Sequence, residues 1–146
     1  MASVVIADDH PIFVDALRVT LTDAGLKVVG TTNNGADLVG LVEEIQPDVV
    51  LLDLQMPGMS GLDCLAALRA RTPDVKVIIL SGSDDRSSIE GALALGAVCF
   101  VGKGVEPADL AATVRMLASE APIYSAPRAR STVGSGTGAA SSNALV

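Results

Sequence analysis

The stretch that most constrains this chain runs from Asp48 to Gly61, DVVLLDLQMPGMSG. Val49, Val50, Leu51 and Leu52, with Leu54 just beyond, form an apolar run too short for a helix, and they read as a buried strand. A carboxylate near the end of such a strand is costly unless something pairs with it, so Asp53 marks a site. Met56, Pro57, Gly58 and Gly61 are turn formers that stop the strand and leave Asp53 at its carboxyl end. In open parallel α/β sheets that end is where ligands bind.

The rest of the chain alternates strand and helix signals around this run. Ser3 to Ala7 predicts a strand ending at Asp8, Asp9, His10 and Pro11, and apolar residues from Phe13 to Ala24 then recur at helical spacing until Gly25. Lys27 to Thr32 predicts a second strand, Asn33, Asn34 and Gly35 a cap, and Leu38, Leu41, Val42 and Ile45 a second helix closed before Pro47. After the central strand, Ser60 or Gly61 opens a third helix that ends at Thr72 and Pro73. Lys76 to Leu80 is expected as the fourth strand, with Ser81 to Asp85 as its loop. Ile89, Ala92, Leu93 and Gly96 mark a fourth helix. Val98 to Val101 is the fifth strand, ending at Gly102, Lys103 and Gly104, and Glu106 with Pro107 starts a fifth helix, proline being tolerated at the first helical position.

Five strands alternating with five helices predict a doubly wound α/β domain with a parallel sheet in the order 2-1-3-4-5. The domain is expected over residues 1–120. Residues 121–146, rich in Gly, Ser and Ala, read as a flexible linker or tail. No apolar run approaches the length needed to cross a bilayer and no basic-then-apolar leader opens the chain, so a soluble, cytoplasmic protein is expected. The net charge is −7, and the chain through Glu120 carries 17 acidic and 8 basic residues. Such a body repels a nucleic-acid backbone, and with Phe13, Phe100 and Tyr124 as the only aromatics it has no stacking platform for single strands. Cys64 and Cys99 sit among apolar neighbours without metal-ligand spacing and read as buried free thiols.

The predicted strand order brings Asp8, Asp9 and Asp53 to one rim from positions far apart in sequence. Three carboxylates repel one another unless a cation lies between them, and oxygen donors favour a hard divalent ion, Mg²⁺ or Mn²⁺. The expected ligands are Asp9, Asp53 and the backbone carbonyl of Gln55, with Asp8 close by. Ser81 and Lys103, at the ends of the next two strands, add a hydroxyl and an ammonium. A carboxylate nucleophile, a metal, a hydroxyl and a lysine are the parts needed to accept a phosphoryl group and spread its charge. Read singly, the acidic pair could cap the first helix, Lys103 could be a solvated loop residue and Ser81 a turn residue; their shared place at successive strand ends favours the site. His10 reads as a structural residue beside a turn proline and stays outside it.

VIADDHPIF, LDLQMPGMSG and GAVCFVGK together resemble the receiver domain of bacterial two-component response regulators, of the NarL/FixJ type, over about residues 1–120. The resemblance implies a flavodoxin-like (CheY-like) fold in which Asp53 is phosphorylated by a sensor histidine kinase and Asp8 and Asp9 hold Mg²⁺. It also implies that Lys103 contacts the phosphoryl group, with Ser81 as switch hydroxyl and Phe100 as switch aromatic. The face made by the fourth helix, fifth strand and fifth helix would be the output, with slow self-phosphorylation and self-dephosphorylation as the only chemistry. A homodimer is expected, and DNA would be reached only through a helix-turn-helix domain absent from this chain. Gly102 and Gly104 depart from the family by flanking Lys103 with glycine on both sides. Two rival readings are an aspartyl-phosphate phosphatase of the haloacid-dehalogenase kind, whose D-x-D on the first strand this chain lacks, and a phosphorylation-independent receiver acting as an interaction module.

Overall fold

The structure is a computed structural model that describes residues 1–82 and 86–119. Strands and helices alternate as β1 (Ser3–Ala7), α1 (Pro11–Asp23), β2 (Lys27–Thr32), α2 (Gly35–Ile45), β3 (Val49–Asp53), α3 (Gly61–Arg71), β4 (Lys76–Ser81), α4 (Arg86–Ala94), β5 (Cys99–Gly102) and α5 (Pro107–Ala118). All strand pairings are parallel, in the order β2-β1-β3-β4-β5. Val4 to Ala7, Val49 to Leu52 and Val77 to Leu80 are fully buried, as continuous apolar runs must be in a sheet covered by helices on both faces.

The two-residue period of these strands divides the core. Val5, Val50, Leu52, Val77 and Ile79 pack with Leu38 and Val42 of α2 and Leu65 and Leu68 of α3. Val4, Ile6, Val49, Leu51, Ile78 and Leu80 pack on the other face with Leu17 and Leu21 of α1 and Leu110 and Val114 of α5. Each fully buried aliphatic side chain contributes about 1.5–3 kcal/mol, so register is set by both faces at once.

Helix starts follow local chemistry. Asn34 Oδ1 accepts the Ala36 N–H at 2.7 Å, Ser60 Oγ accepts the Asp63 N–H at 3.1 Å, and Pro11 and Pro107 open α1 and α5. Two strands differ in their bounds from the sequence reading. β4 extends through Ser81 because that residue pairs with Gly102. β5 correspondingly begins at Cys99 and ends at Gly102. Cys64 is buried but Cys99, on the edge strand, is only half-buried, and both are free. The expected tail over 121–146 lies outside the described residues, as do residues 83–85 of the loop after β4. Among the described residues no helix is long and apolar enough to cross a membrane.

Register positions the rim. Ala7 pairs with Leu52, so Asp8 and Asp53 leave adjacent strands side by side, and Ser81 pairs with Gly102, which brings Lys103 to the same end. The turn after β3 is fastened to the start of α2, where the Gly35 N–H donates to Pro57 O at 3.0 Å. Gly58 adopts φ +87°, and a Cβ there would lie 2.2 Å from Asn34 Oδ1. Only glycine fits this approach.

Candidate functional site

Asp8 and Asp53 are each 2 % exposed, although both are carboxylates at strand ends. Their backbones hold them in place. Asp8 Oδ1 accepts the His10 N–H at 2.9 Å, and Asp53 Oδ1 accepts the Gln55 N–H at 3.0 Å, so each side chain folds over its own turn. Lys103 supplies the opposite charge. Its Nζ donates to Asp53 Oδ2 at 3.0 Å, forms an ion pair with Asp8 Oδ2 at 2.8 Å and lies 5.2 Å from the centroid of the Phe13 ring. Burial pulls the Lys103 pKa down, but the contacts and charges of Asp8 and Asp53 outweigh it and hold the ammonium above its ordinary value. At neutral pH it is charged.

One ammonium does not balance three carboxylates. Asp8 Oδ2 and Asp9 Oδ1 are buried without a hydrogen-bond partner; for the first, the Lys103 contact is an ion pair rather than an aligned hydrogen bond. Such orphaned acceptors are rare in folded proteins and point to a missing ligand. One donor atom from each of Asp8, Asp9, His10 and Asp53 falls within 4.8 Å of the others, a cluster whose oxygens fit a hard divalent ion.

His10, set aside in the sequence reading, is at the centre of this group. Its Nδ1 is 2.9 Å from Asp8 Oδ1, 3.2 Å from Asp9 Oδ1, 3.9 Å from Asp53 Oδ2 and 2.9 Å from Lys103 Nζ. No signal in the sequence marks it: His10 is the N-cap of α1 with no side-chain capping bond, and the backbone there turns its ring to the rim.

Beside Asp53 a pocket of about 140 Å³ opens, lined among others by Gln55, Ser60, Ser81, Gly82 and Ser88. Ser81 is the last residue of β4, and its carbonyl accepts the Lys103 N–H at 2.8 Å, tying the hydroxyl-bearing and lysine-bearing strand ends together. Phe100 lies apart, on edge strand β5 opposite Ile79, and is 46 % exposed. The structure therefore gathers Asp8, Asp9, Asp53 and Lys103 directly, places Ser81 and Gln55 around the adjoining pocket, and leaves Phe100 on the surface.

A doubly wound domain with this acidic rim and its lysine is the arrangement of response regulator receiver domains, which are signalling switches rather than classical enzymes. The model of the response regulator receiver domain family matches residues 4–115, and the chain belongs to that family. It is similar to the nitrate/nitrite response regulator protein NarL of Escherichia coli (strain K12), 35 % identical over 127 residues that make up 82 % of this chain and 59 % of that protein. It is also similar to the transcriptional regulatory protein DegU of Brevibacillus brevis, 35 % identical over 79 % of this chain and 49 % of that one. The chain thus spans about half to three fifths of the length of these relatives. Among solved structures, a LuxR-family DNA-binding response regulator from Staphylococcus aureus matches with a TM-score of 0.77 and 31 % identity, over 82 % of this chain and all of that one. The REC domain of AraT, a response regulator from Geobacillus stearothermophilus, matches with a TM-score of 0.73 and 27 % identity, over 80 % and 92 % of the two chains. Receiver domains bind Mg²⁺ at an acidic pocket, in agreement with the orphaned carboxylate oxygens found here.

Proposed function

We propose that this chain is a phosphoryl-accepting switch in which an Asp53 oxygen attacks the phosphorus of a phosphohistidine on a sensor kinase. The P–N bond breaks, a P–O bond to Asp53 forms, and the kinase imidazole leaves. The observation that carries this reading is a nearly fully buried Asp53 carboxylate held by Lys103 that also lines a pocket together with Ser81 and Gln55. Asp8, Asp9, Asp53 and the Gln55 carbonyl would hold Mg²⁺ or Mn²⁺, which supplies positive charge to the phosphoryl oxygens when bound. Lys103, kept protonated by its two carboxylates, exchanges one of them for a phosphoryl oxygen. The Ser81 hydroxyl donates to another.

Phosphorylation adds nearly two negative charges and three acceptor oxygens to a rim already rich in acid. Drawing Ser81 inward then moves the β4 end, and the half-exposed Phe100 turns into the space released, which changes the surface of α4, β5 and α5. The names of a transcriptional regulatory protein and of a DNA-binding response regulator among the similar proteins point to control of transcription, which would act through a DNA-binding domain outside this chain and through a homodimer, in the cytoplasm. The test is incubation with Mg²⁺ and acetyl phosphate followed by intact mass measurement. One phosphoryl mass is expected on the native chain and none on Asp53→Asn. No addition to the native chain, or addition that survives Asp53→Asn, overturns the reading.

A further inference from the structure

We propose that His10 Nδ1 is a fourth donor of the acidic pocket and gives it a site for a borderline divalent transition ion such as Zn²⁺. The inference rests on the metal-binding part of the function proposed above and assigns to His10 the choice among divalent ions. Carboxylate and carbonyl oxygens alone favour Mg²⁺, whereas one imidazole nitrogen moves a site toward Zn²⁺, Ni²⁺ and Cu²⁺.

The spacing supports direct ligation. With bonds of about 2.0–2.2 Å, neighbouring donors around one ion stand about 3.0–3.5 Å apart. From His10 Nδ1 the carboxylate oxygens of Asp8, Asp9 and Asp53 lie at 2.9, 3.2 and 3.9 Å. These separations bracket the edges of a coordination polyhedron, and an ion would enter by displacing the Lys103 ammonium, which lies 2.9 Å from His10 Nδ1, 2.8 Å from Asp8 Oδ2 and 3.0 Å from Asp53 Oδ2.

The electrostatics agree. Nδ1 faces Asp8 Oδ1, which would accept a proton from it, and Lys103 Nζ at 2.9 Å, which would donate one to it. One ring nitrogen cannot satisfy both. With the proton on Nε2, Nδ1 turns a lone pair into a pocket where Asp9 Oδ1 is buried without a hydrogen bond. A cation there meets the nitrogen and the orphaned oxygen together. The His10 side chain remains 63 % exposed, so water can serve Nε2. The root of the ring is fixed, because the His10 N–H is bonded to Asp8 and its carbonyl accepts the Val14 N–H at 3.0 Å.

Competing soft ligands are weak. Burial raises the Cys64 thiol and pushes Cys99 up to about 11, so neither offers a ready thiolate near neutral pH. His10 is also the only histidine in the sequence. In protein carrying no histidine tag, every imidazole signal therefore belongs to it.

The test titrates native protein and His10→Gln with Zn²⁺ and separately with Mg²⁺, and follows the ring nitrogens of the native protein by ¹⁵N NMR. Removal of a nitrogen ligand is expected to weaken Zn²⁺ binding about 10- to 100-fold and to change Mg²⁺ binding far less. Zn²⁺ is expected to shift Nδ1 rather than Nε2. Equal loss of both ions in His10→Gln, no loss of Zn²⁺ affinity, or a Zn²⁺ shift at Nε2 alone overturns the inference. Mg²⁺ binding with no Zn²⁺ effect at Nδ1 defeats this assignment and leaves the proposed function standing; no binding of either ion defeats both.

Discussion

The two rims of the sheet bury charge equally well and treat it differently. At the amino-terminal rim, Lys76 is 5 % exposed and its Nζ donates to Leu117 O at 2.5 Å, closing the last turn of α5. There the exposed Asp48 is also satisfied: its Oδ2 accepts both the Ser3 N–H and the Ser3 hydroxyl, at 2.8 and 3.2 Å. Arg69 donates to Val75 O at 2.9 Å and also to Pro73 O. At the carboxyl rim, Asp8 and Asp53 are buried at least as deeply, yet these two carboxylates share one ammonium, and one oxygen each of Asp8 and Asp9 lacks a hydrogen bond. Depth of burial does not separate the charges of the two rims. Whether their hydrogen bonds are complete does.

The sharpest way to break this contrast is to remove the one cation at the carboxyl rim. Lys103→Met leaves Asp8 and Asp53 buried and unpaired, and breaking a buried pair costs about 3–5 kcal/mol. Urea denaturation should show that loss in metal-free buffer and a much smaller one at saturating Mg²⁺, since the ion replaces the ammonium. An equal deficit in both buffers would mean the carboxylates are not a shared cation site. Asp9→Asn should act with the opposite sign. It removes a charge whose buried oxygen accepts no hydrogen bond, so the metal-free protein gains about 1–2 kcal/mol by relief of repulsion, while Mg²⁺ affinity falls. At the other rim, Asp48→Ala should cost roughly 1 kcal/mol through its bonds to Ser3 and leave both Mg²⁺ affinity and phosphoryl incorporation unchanged. A change in either would join the two rims energetically.

The contrast also explains what the sequence could reveal. Periodicity located all five strands and five helices because most of their residues answer to one requirement, an apolar face every second position or every third and fourth. Asp53, Asp8, Asp9 and Lys103 were legible because charge at the end of a buried strand is expensive and invites a partner. His10 was not, since its direction depends on the backbone of the α1 N-cap rather than on spacing. The sequence reading ends the fourth strand one residue short, at Leu80 instead of Ser81, because whether a strand continues is settled by its neighbour, here Gly102 on β5. Lys76 gave no hint of burial. Its partner is a backbone carbonyl of α5, an acceptor every residue carries.

The smallest effect concerns a half-buried group that belongs to neither rim's polar network. Burial pushes the Cys99 thiol up to about 11, against about 8.5 for an exposed thiol. As pH rises past the lower value the unfolded chain releases that proton and the folded chain keeps it, so stability falls until the folded thiol also titrates. Lys103 has a raised pKa as a base, so its contribution is fully present below the unfolded lysine value, about 10.4, and disappears only above it. The two losses are therefore separated in pH. Cys99→Ala should flatten the decline in urea midpoint between pH 8 and 10 (about the window between those reference values) by a fraction of the ~1.4 kcal/mol per pH unit that one fully linked proton gives. The remainder comes from Cys64, whose thiol burial also raises. Lys103→Met should leave that decline intact and alter the limb above it. If Cys99→Ala leaves the decline unchanged while Lys103→Met flattens it, alkaline loss starts at the carboxyl rim, and the thiol account is refuted.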